Sequence, residues 1–159
     1  MFDDRLNELG ITLPGPFPPH APLDPVVVHG GVARTSGCLP RNAAGHLHAT
    51  GLLGRDVTTA VGTECAALCA LNALSLLRAE LGSLDAIERV LTVLGFVACV
   101  GDFIEQPTVI DGASRVLHEV FGDAGRHTRS AVGVSALPRG GPVEIEVVVA
   151  VSHDASRRS

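Results

Sequence analysis

The chain has no lysine, no tyrosine and no tryptophan. Without lysine there is no Schiff-base amine, no phosphate-loop ammonium and no Ser–Lys dyad. Without tyrosine no phenol can act as acid, base or stacking platform. Charge is sparse as well: 18% of the 159 residues are charged, and all twelve cations are arginines. The net charge is −5 and the pI about 5.7. Nucleic-acid binding draws on counterion release by a basic surface, so this balance argues against RNA or DNA as the main partner. The four cysteines, Cys38, Cys65, Cys69 and Cys99, form no Cys-x-x-Cys pair. A Gly-rich phosphate loop, a serine nucleophile elbow and a His-Glu-x-x-His pair are also missing. The start, Met1-Phe-Asp-Asp-Arg-Leu, does not read as a secretory signal. The longest uncharged central run, Cys65–Leu77, is too short to span a bilayer. Together these features imply a soluble cytoplasmic protein with reduced thiols and no membrane partner.

What is present is apolar: hydrophobic residues make up 46% of the chain. The length suits one domain with a self-sufficient core, and the apolar excess suggests surface buried against copies of the same chain. Six of the ten prolines fall in residues 1–25, which read as an extended arm with one helical turn near Asp3–Leu9. Residues 26–151 form the domain and 152–159 a polar tail.

Within the domain, Gly30-Gly31 separates two β-prone runs and marks a hairpin. From Thr59 to Leu81 apolar residues recur at steps of three and four, with Thr58 as N-cap and Gly82 at the C-terminal stop. Arg89–Val100 is apolar on both faces, as a strand in a covered sheet is. Val109, Ile110, Ala113, Val116, Leu117, Val120 and Phe121 mark a second helix, opened by Pro107 and closed by Gly122. Ser130–Leu137 and Val143–Val151 read as strands around the turn 138–142. The order β-β-α-β-α-β-β predicts an α+β fold with one sheet and both helices on one face.

In the last run Val143, Ile145, Val147, Val149 and Val151 share one face, and Glu144, Glu146, Val148 and Ala150 the other. The second face ends too apolar for open water, so neighbouring subunits are expected to cover it. Taken as an antiparallel hairpin, the last two strands put Arg129 and Glu144 on the same face, roughly 20 Å apart at about 3.3 Å per residue. A site using both would then draw them from different chains.

Cys65 and Cys69 share a helical face and read as small core hydrophobes. His46 and His48 lack a ligand-spaced acid or cysteine, so no metal site is expected. His118 falls on the solvent edge of the second helix, and His127 in the loop before Arg129. Arg129 follows a polar loop, where a guanidinium can hold a carboxylate by two prongs. Glu144, at a covered interface, suits general acid or base work. The bland alternative for this pair is a structural ion pair at a subunit contact.

Several strings together resemble the Rid family, also called YjgF-like. They are Ser36-Gly37-Cys38-Leu39-Pro40, and Arg129-Ser-Ala-Val-Gly-Val-Ser-Ala-Leu-Pro138 followed by Val143-Glu-Ile-Glu146. Cys69-Ala-Leu-Asn72, Gly95-Phe-Val97 and Gly112-Ala-Ser114 resemble a bacterial branch of it. The resemblance implies a chorismate-mutase-like fold, a homotrimer with three intersubunit clefts, and hydrolysis of reactive enamines and imines such as 2-aminoacrylate to 2-keto acids and ammonia. It implies that Arg129 holds the substrate carboxylate and that Glu144 serves the attacking water. Backbone groups of Gly37 and Ala131 would line the cleft, with no metal and no organic cofactor.

This chain departs from the family pattern at four places. Leu23 stands near the family tyrosine, Cys38 replaces a glutamine, Gly112 an asparagine and Ala131 a cysteine. A non-catalytic trimer that binds a small carboxylate metabolite or acts as a holdase is therefore the alternative function. The endoribonuclease or translation-inhibitor role given to some relatives is a minor third.

Overall fold

The structure, a computed structural model, describes residues 1–17 and 22–152. Five strands and two long helices follow the expected order, with one short helix before them. These are α1 (Phe2–Glu8), β1 (Val26–His29), β2 (Val32–Thr35), α2 (Thr59–Leu81), β3 (Ile87–Ala98), α3 (Gln106–Phe121), β4 (Thr128–Val134) and β5 (Val143–Val151).

Local chemistry sets the boundaries. Gly30 and Gly31 both have positive φ, 59° and 78°, which a two-residue hairpin turn with right-handed strand twist requires. The Thr58 side chain accepts from the Val61 N–H and caps α2, and Gly82 ends it at φ 83°. Apolar residues at helical spacing run through α2, so Cys65, Cys69, Ala73, Leu74 and Leu77 are fully buried. By length and composition α2 would pass for a membrane span, but its apolar positions are largely buried inside the fold. In α1, the Phe2 ring meets Phe121 edge to face at 4.7 Å, and Leu6 is buried. Of the proline-rich segment, Pro18 and Pro19 lie outside the described residues, as does the expected polar tail beyond Ser152.

The sheet order is β1-β2-β5-β3-β4. Both long helices pack on one face. The core between the two layers includes Val90, Val93, Val97, Ile110, Leu117 and the inward residues of β5. Val143, Ile145, Val147 and Val149 are fully buried, and the alternate residues of β5 are half-buried on the other face. At Gly112 helix α3 lies hard against α2, and a Cβ there would overlap the Thr63 carbonyl oxygen.

The expected hairpin of the last two strands does not form. β4 pairs in parallel with β3, from Thr92↔Thr128 to Ala98↔Val134, and β3 separates β4 from β5. A strand–helix–strand unit closes as a parallel crossover, and β3–α3–β4 is such a unit. The Pro138–Gly140 segment is a 3-10 turn whose Gly140 carbonyl accepts from the Gly51 N–H at 2.9 Å. It carries the chain past β3 rather than folding it back on β4.

Candidate functional site

The register corrects the relation between the two central side chains. Arg129 shares a row with Val93 and Val147, which face the helices. Glu144 shares a row with Phe96 and Val132, on the opposite face. The two lie two strands and three residues apart, roughly 14 Å between backbones by ordinary sheet spacings, with the sheet between their side chains. The expected common face is therefore wrong. Within one chain the sheet itself bars both groups from one small molecule.

The first half-site sits on the edge strand β4. The Arg129 side chain reaches α3, where Nη1 donates to Asp111 Oδ1 at 2.8 Å and to Ser114 Oγ at 3.1 Å. Among the described residues Nε and Nη2 have no acceptor, so one edge of the guanidinium fork is free. The Ser114 hydroxyl also lies 3.1 Å from His127 Nε2, and His127 Nδ1 lies 2.6 Å from the Gly125 carbonyl. Burial holds the His127 imidazole below its ordinary range. The Arg129 charge adds to this, against the opposing pull of the Gly125 carbonyl. Ser114, His118, Gly125, Arg126, His127 and Arg129 line a cavity of about 380 Å³. Ala131 lies two residues further along β4 on the same face as Arg129, half-buried against the core.

The second half-site sits at the β2 end of the sheet. The chain leaves β2 and bridges back to β5 at Cys38↔Ile145, which brings Gly37 against Glu144. A Cβ on Gly37 would stand 2.7 Å from the Glu144 carboxyl carbon, so only glycine lets this acid lie flat on the backbone. Burial raises the Glu144 carboxyl above its ordinary range, and the Glu146 charge raises it further. Arg34 pairs with Glu146 at 2.7 Å and leaves Glu144 without a basic partner among the described residues. Beside Gly37 a slot of about 150 Å³ is lined by Leu23, Pro25, Ser36, Cys38 and Asn72, among others. Cys38 in that wall is buried, and burial pushes its thiol up to about 12, so it is no nucleophile at neutral pH.

The structure thus groups Arg129 with Ala131, and Glu144 with Gly37, and keeps the two groups apart. Reading the sequence missed Asp111 and Ser114. They are three apart on α3 and therefore share a face. That polar row on α3, continued by His118 one turn on, was the available signal. Among the described residues no group of three metal-ligating side chains converges.

Residues 3–143 match the family described as "YjgF/chorismate_mutase-like, putative endoribonuclease". Protein TCP17 of Trypanosoma cruzi is 40% identical over 150 residues, covering 94% of this chain and 93% of that one. The crystal structure of Atu1372, a protein of unknown function from Agrobacterium tumefaciens, superposes with a TM-score of 0.88 at 43% identity, over 95% of this chain and 92% of that one. A "putative endoribonuclease" from Shewanella oneidensis superposes with a TM-score of 0.90 at 30% identity, over 95% and 99%. The fold is the chorismate-mutase-like one, and relatives of this kind extend beyond bacteria.

Proposed function

Because this chain belongs to the YjgF/Rid family, we propose that it hydrolyses small carboxylate-bearing imines and enamines of the 2-aminoacrylate type to 2-keto acids and ammonia, in clefts between the subunits of a homotrimer. The carrying observation is that each chain presents two separated half-sites on opposite faces of one sheet. One chain would supply Arg129 and a second chain Glu144. The free Nε/Nη2 edge of Arg129 matches a carboxylate by two prongs, while Asp111 holds the other edge still. Glu144, with its raised carboxyl, is suited to exchange protons with the reacting water and nitrogen. The half-buried Val148, Ala150 and Phe96 beside it give the second sheet face the apolar character of a subunit contact. The four free thiols accord with a reducing, cytoplasmic setting.

A trimer that binds a carboxylate without turning it over is the second reading. It is favoured by the slot beside Gly37, where Leu23 and the inert Cys38 stand in place of polar family side chains. The net charge of −5 weighs against an endoribonuclease.

The deciding assay is release of 2-keto acid from freshly generated enamines, comparing wild type with Arg129→Ala, with sedimentation to establish the trimer. Subunit mixing tests the shared cleft: Arg129→Ala and Glu144→Gln chains, each inactive alone, should regain part of the activity in mixed trimers. Keto-acid release equal to the uncatalysed rate leaves the binding reading. Mixed trimers without activity refute the shared cleft.

A further inference from the structure

The Arg129 half-site holds a second device. His127 Nδ1 lies 2.6 Å from the Gly125 carbonyl, which can only accept, so the ring proton sits on Nδ1 and Nε2 is the accepting nitrogen. Ser114 Oγ lies 3.1 Å from that Nε2 and 3.1 Å from Arg129 Nη1, which can only donate. The single hydroxyl proton of Ser114 must therefore point at His127. Its oxygen accepts from Arg129 and keeps one lone pair, and Ser114, His127 and Arg129 all line the same cavity of about 380 Å³. Every proton position in the chain Gly125–His127–Ser114–Arg129 follows from which groups can donate.

We propose that Ser114 and His127 form a proton relay serving the ligand held at Arg129. Ser114 would accept the proton of the attacking water while its own proton passes to His127 Nε2. The proposal rests on the imine-hydrolase reading, and it divides the acid and base roles between the two walls of the cleft. Water oxygen bonds to the imine carbon, and the C=N π pair moves to nitrogen, which takes the proton of Glu144. The proton lost by water leaves His127 as imidazolium. In the second half the imidazolium proton returns through Ser114 to the amine nitrogen. Ammonia departs with the C–N pair as the hydroxyl oxygen closes the C=O bond, and the hydroxyl proton restores Glu144. Imine and water become keto acid and ammonia, and both protein groups end as they began. The opposite displacements of the two groups, imidazole down and carboxyl up, suit a base and an acid working near neutral pH.

The test is steady-state kinetics of keto-acid release by the assembled protein and its Ser114→Ala, Ser114→Thr, His127→Gln and His127→Asn variants. Assembly and melting are to be checked for each. Ser114→Ala and His127→Gln should lower kcat by about a hundredfold, the usual worth of a positioned acid or base, with KM within about threefold. Ser114→Thr keeps a hydroxyl and should keep most of kcat. His127→Asn keeps a donor to the Gly125 carbonyl but no basic nitrogen, and should fall as far as His127→Gln. The kcat–pH profile should lose its acid limb in both His127 variants. The groups facing His127 are Ser114, Asp111 and His118 on α3, Arg126 in its own loop and Arg129 on β4. Of these, His118 is the one other imidazole, and His118→Gln should leave the limb in place. Turnover within threefold of wild type for Ser114→Ala and for both His127 variants overturns the relay alone, as does an effect confined to KM. Absence of turnover in the wild type overturns the hydrolase reading and the relay with it.

Discussion

Gly112→Ala should unfold this protein more easily even though it removes a glycine from a helix. In a helix interior alanine is better than glycine by about 0.8–1.0 kcal/mol, so an open site would gain by the change. Gly112 is not open. A Cβ there would overlap the Thr63 carbonyl oxygen and stand 2.9 Å from its carbon and 3.1 Å from Thr63 Cγ2. A side chain can rotate away, but a peptide carbonyl inside a capped 23-residue helix cannot. Overpacking costs about 1–3 kcal/mol, and a backbone neighbour places this case at the upper end. About 3 kcal/mol of strain set against about 1 kcal/mol of propensity leaves a net loss of about 2 kcal/mol. For a chain of this size that lowers Tm by about 4–8 °C, read at fixed protein concentration. Gly101→Ala is the control, because a Cβ there meets nothing within 4 Å. Gly112→Asn, with a larger side chain at the same contact, should be worse than alanine. A Gly112→Ala protein melting at or above wild type would refute the reasoning, since propensity would then have outweighed contact.

Gly37→Ala meets only the end of the flexible Glu144 side chain, so stability should change by less than about 1 kcal/mol while the displaced carboxyl costs at least tenfold in turnover. Full activity would show that Glu144 need not lie where it does. Thiol labelling at pH 8 should give one fast cysteine per native chain, the half-buried Cys99, since burial pushes Cys38 up to about 12 and Cys65 to about 11. Labelling of Cys38 as fast as Cys99 would contradict this. Glu144 has a raised carboxyl in the fold, so its contribution is intact below the ordinary value of 4.5 and is lost as pH rises through the folded value. Glu144→Gln should therefore raise Tm at pH 7 and leave it nearly unchanged at pH 4; an equal shift at both would sink the argument.

Much of the fold was legible because its signals are local. The apolar spacing of α3, the capped ends of α2, the Gly30-Gly31 turn and the alternation of β5 all depend on neighbours a few residues away. Strand pairing is a matter of competition across the chain. The segment 138–142 looks like a turn, and proximity suggested that β4 and β5 pair. The rule that a strand–helix–strand unit closes in parallel would have put β3 between them. The site was legible residue by residue but not as a shape. Arg129 and Glu144 could be picked out, but the face each occupies follows from the pairing. The cluster of Asp111, Ser114 and His127 forms only once α3 lies over β4.

The sheet order also bears on how the protein comes into being. β5 is last of the strands in the sequence, yet it lies between β2 and β3, so Val32 meets Ala150 and Val93 meets Val147. Until residues near 150 are available, the β1–β2 hairpin and the β3–α3–β4 unit share no strand-to-strand hydrogen bond. During synthesis each half would wait with an unpaired inner edge and an uncovered apolar face, the state in which nascent chains aggregate or engage chaperones. Contacts this distant along the chain also slow folding, because the loop between them must close before they form. A substitution in β5 would thus strike both halves at once, and its first effect would be on yield rather than on the chemistry of the cleft.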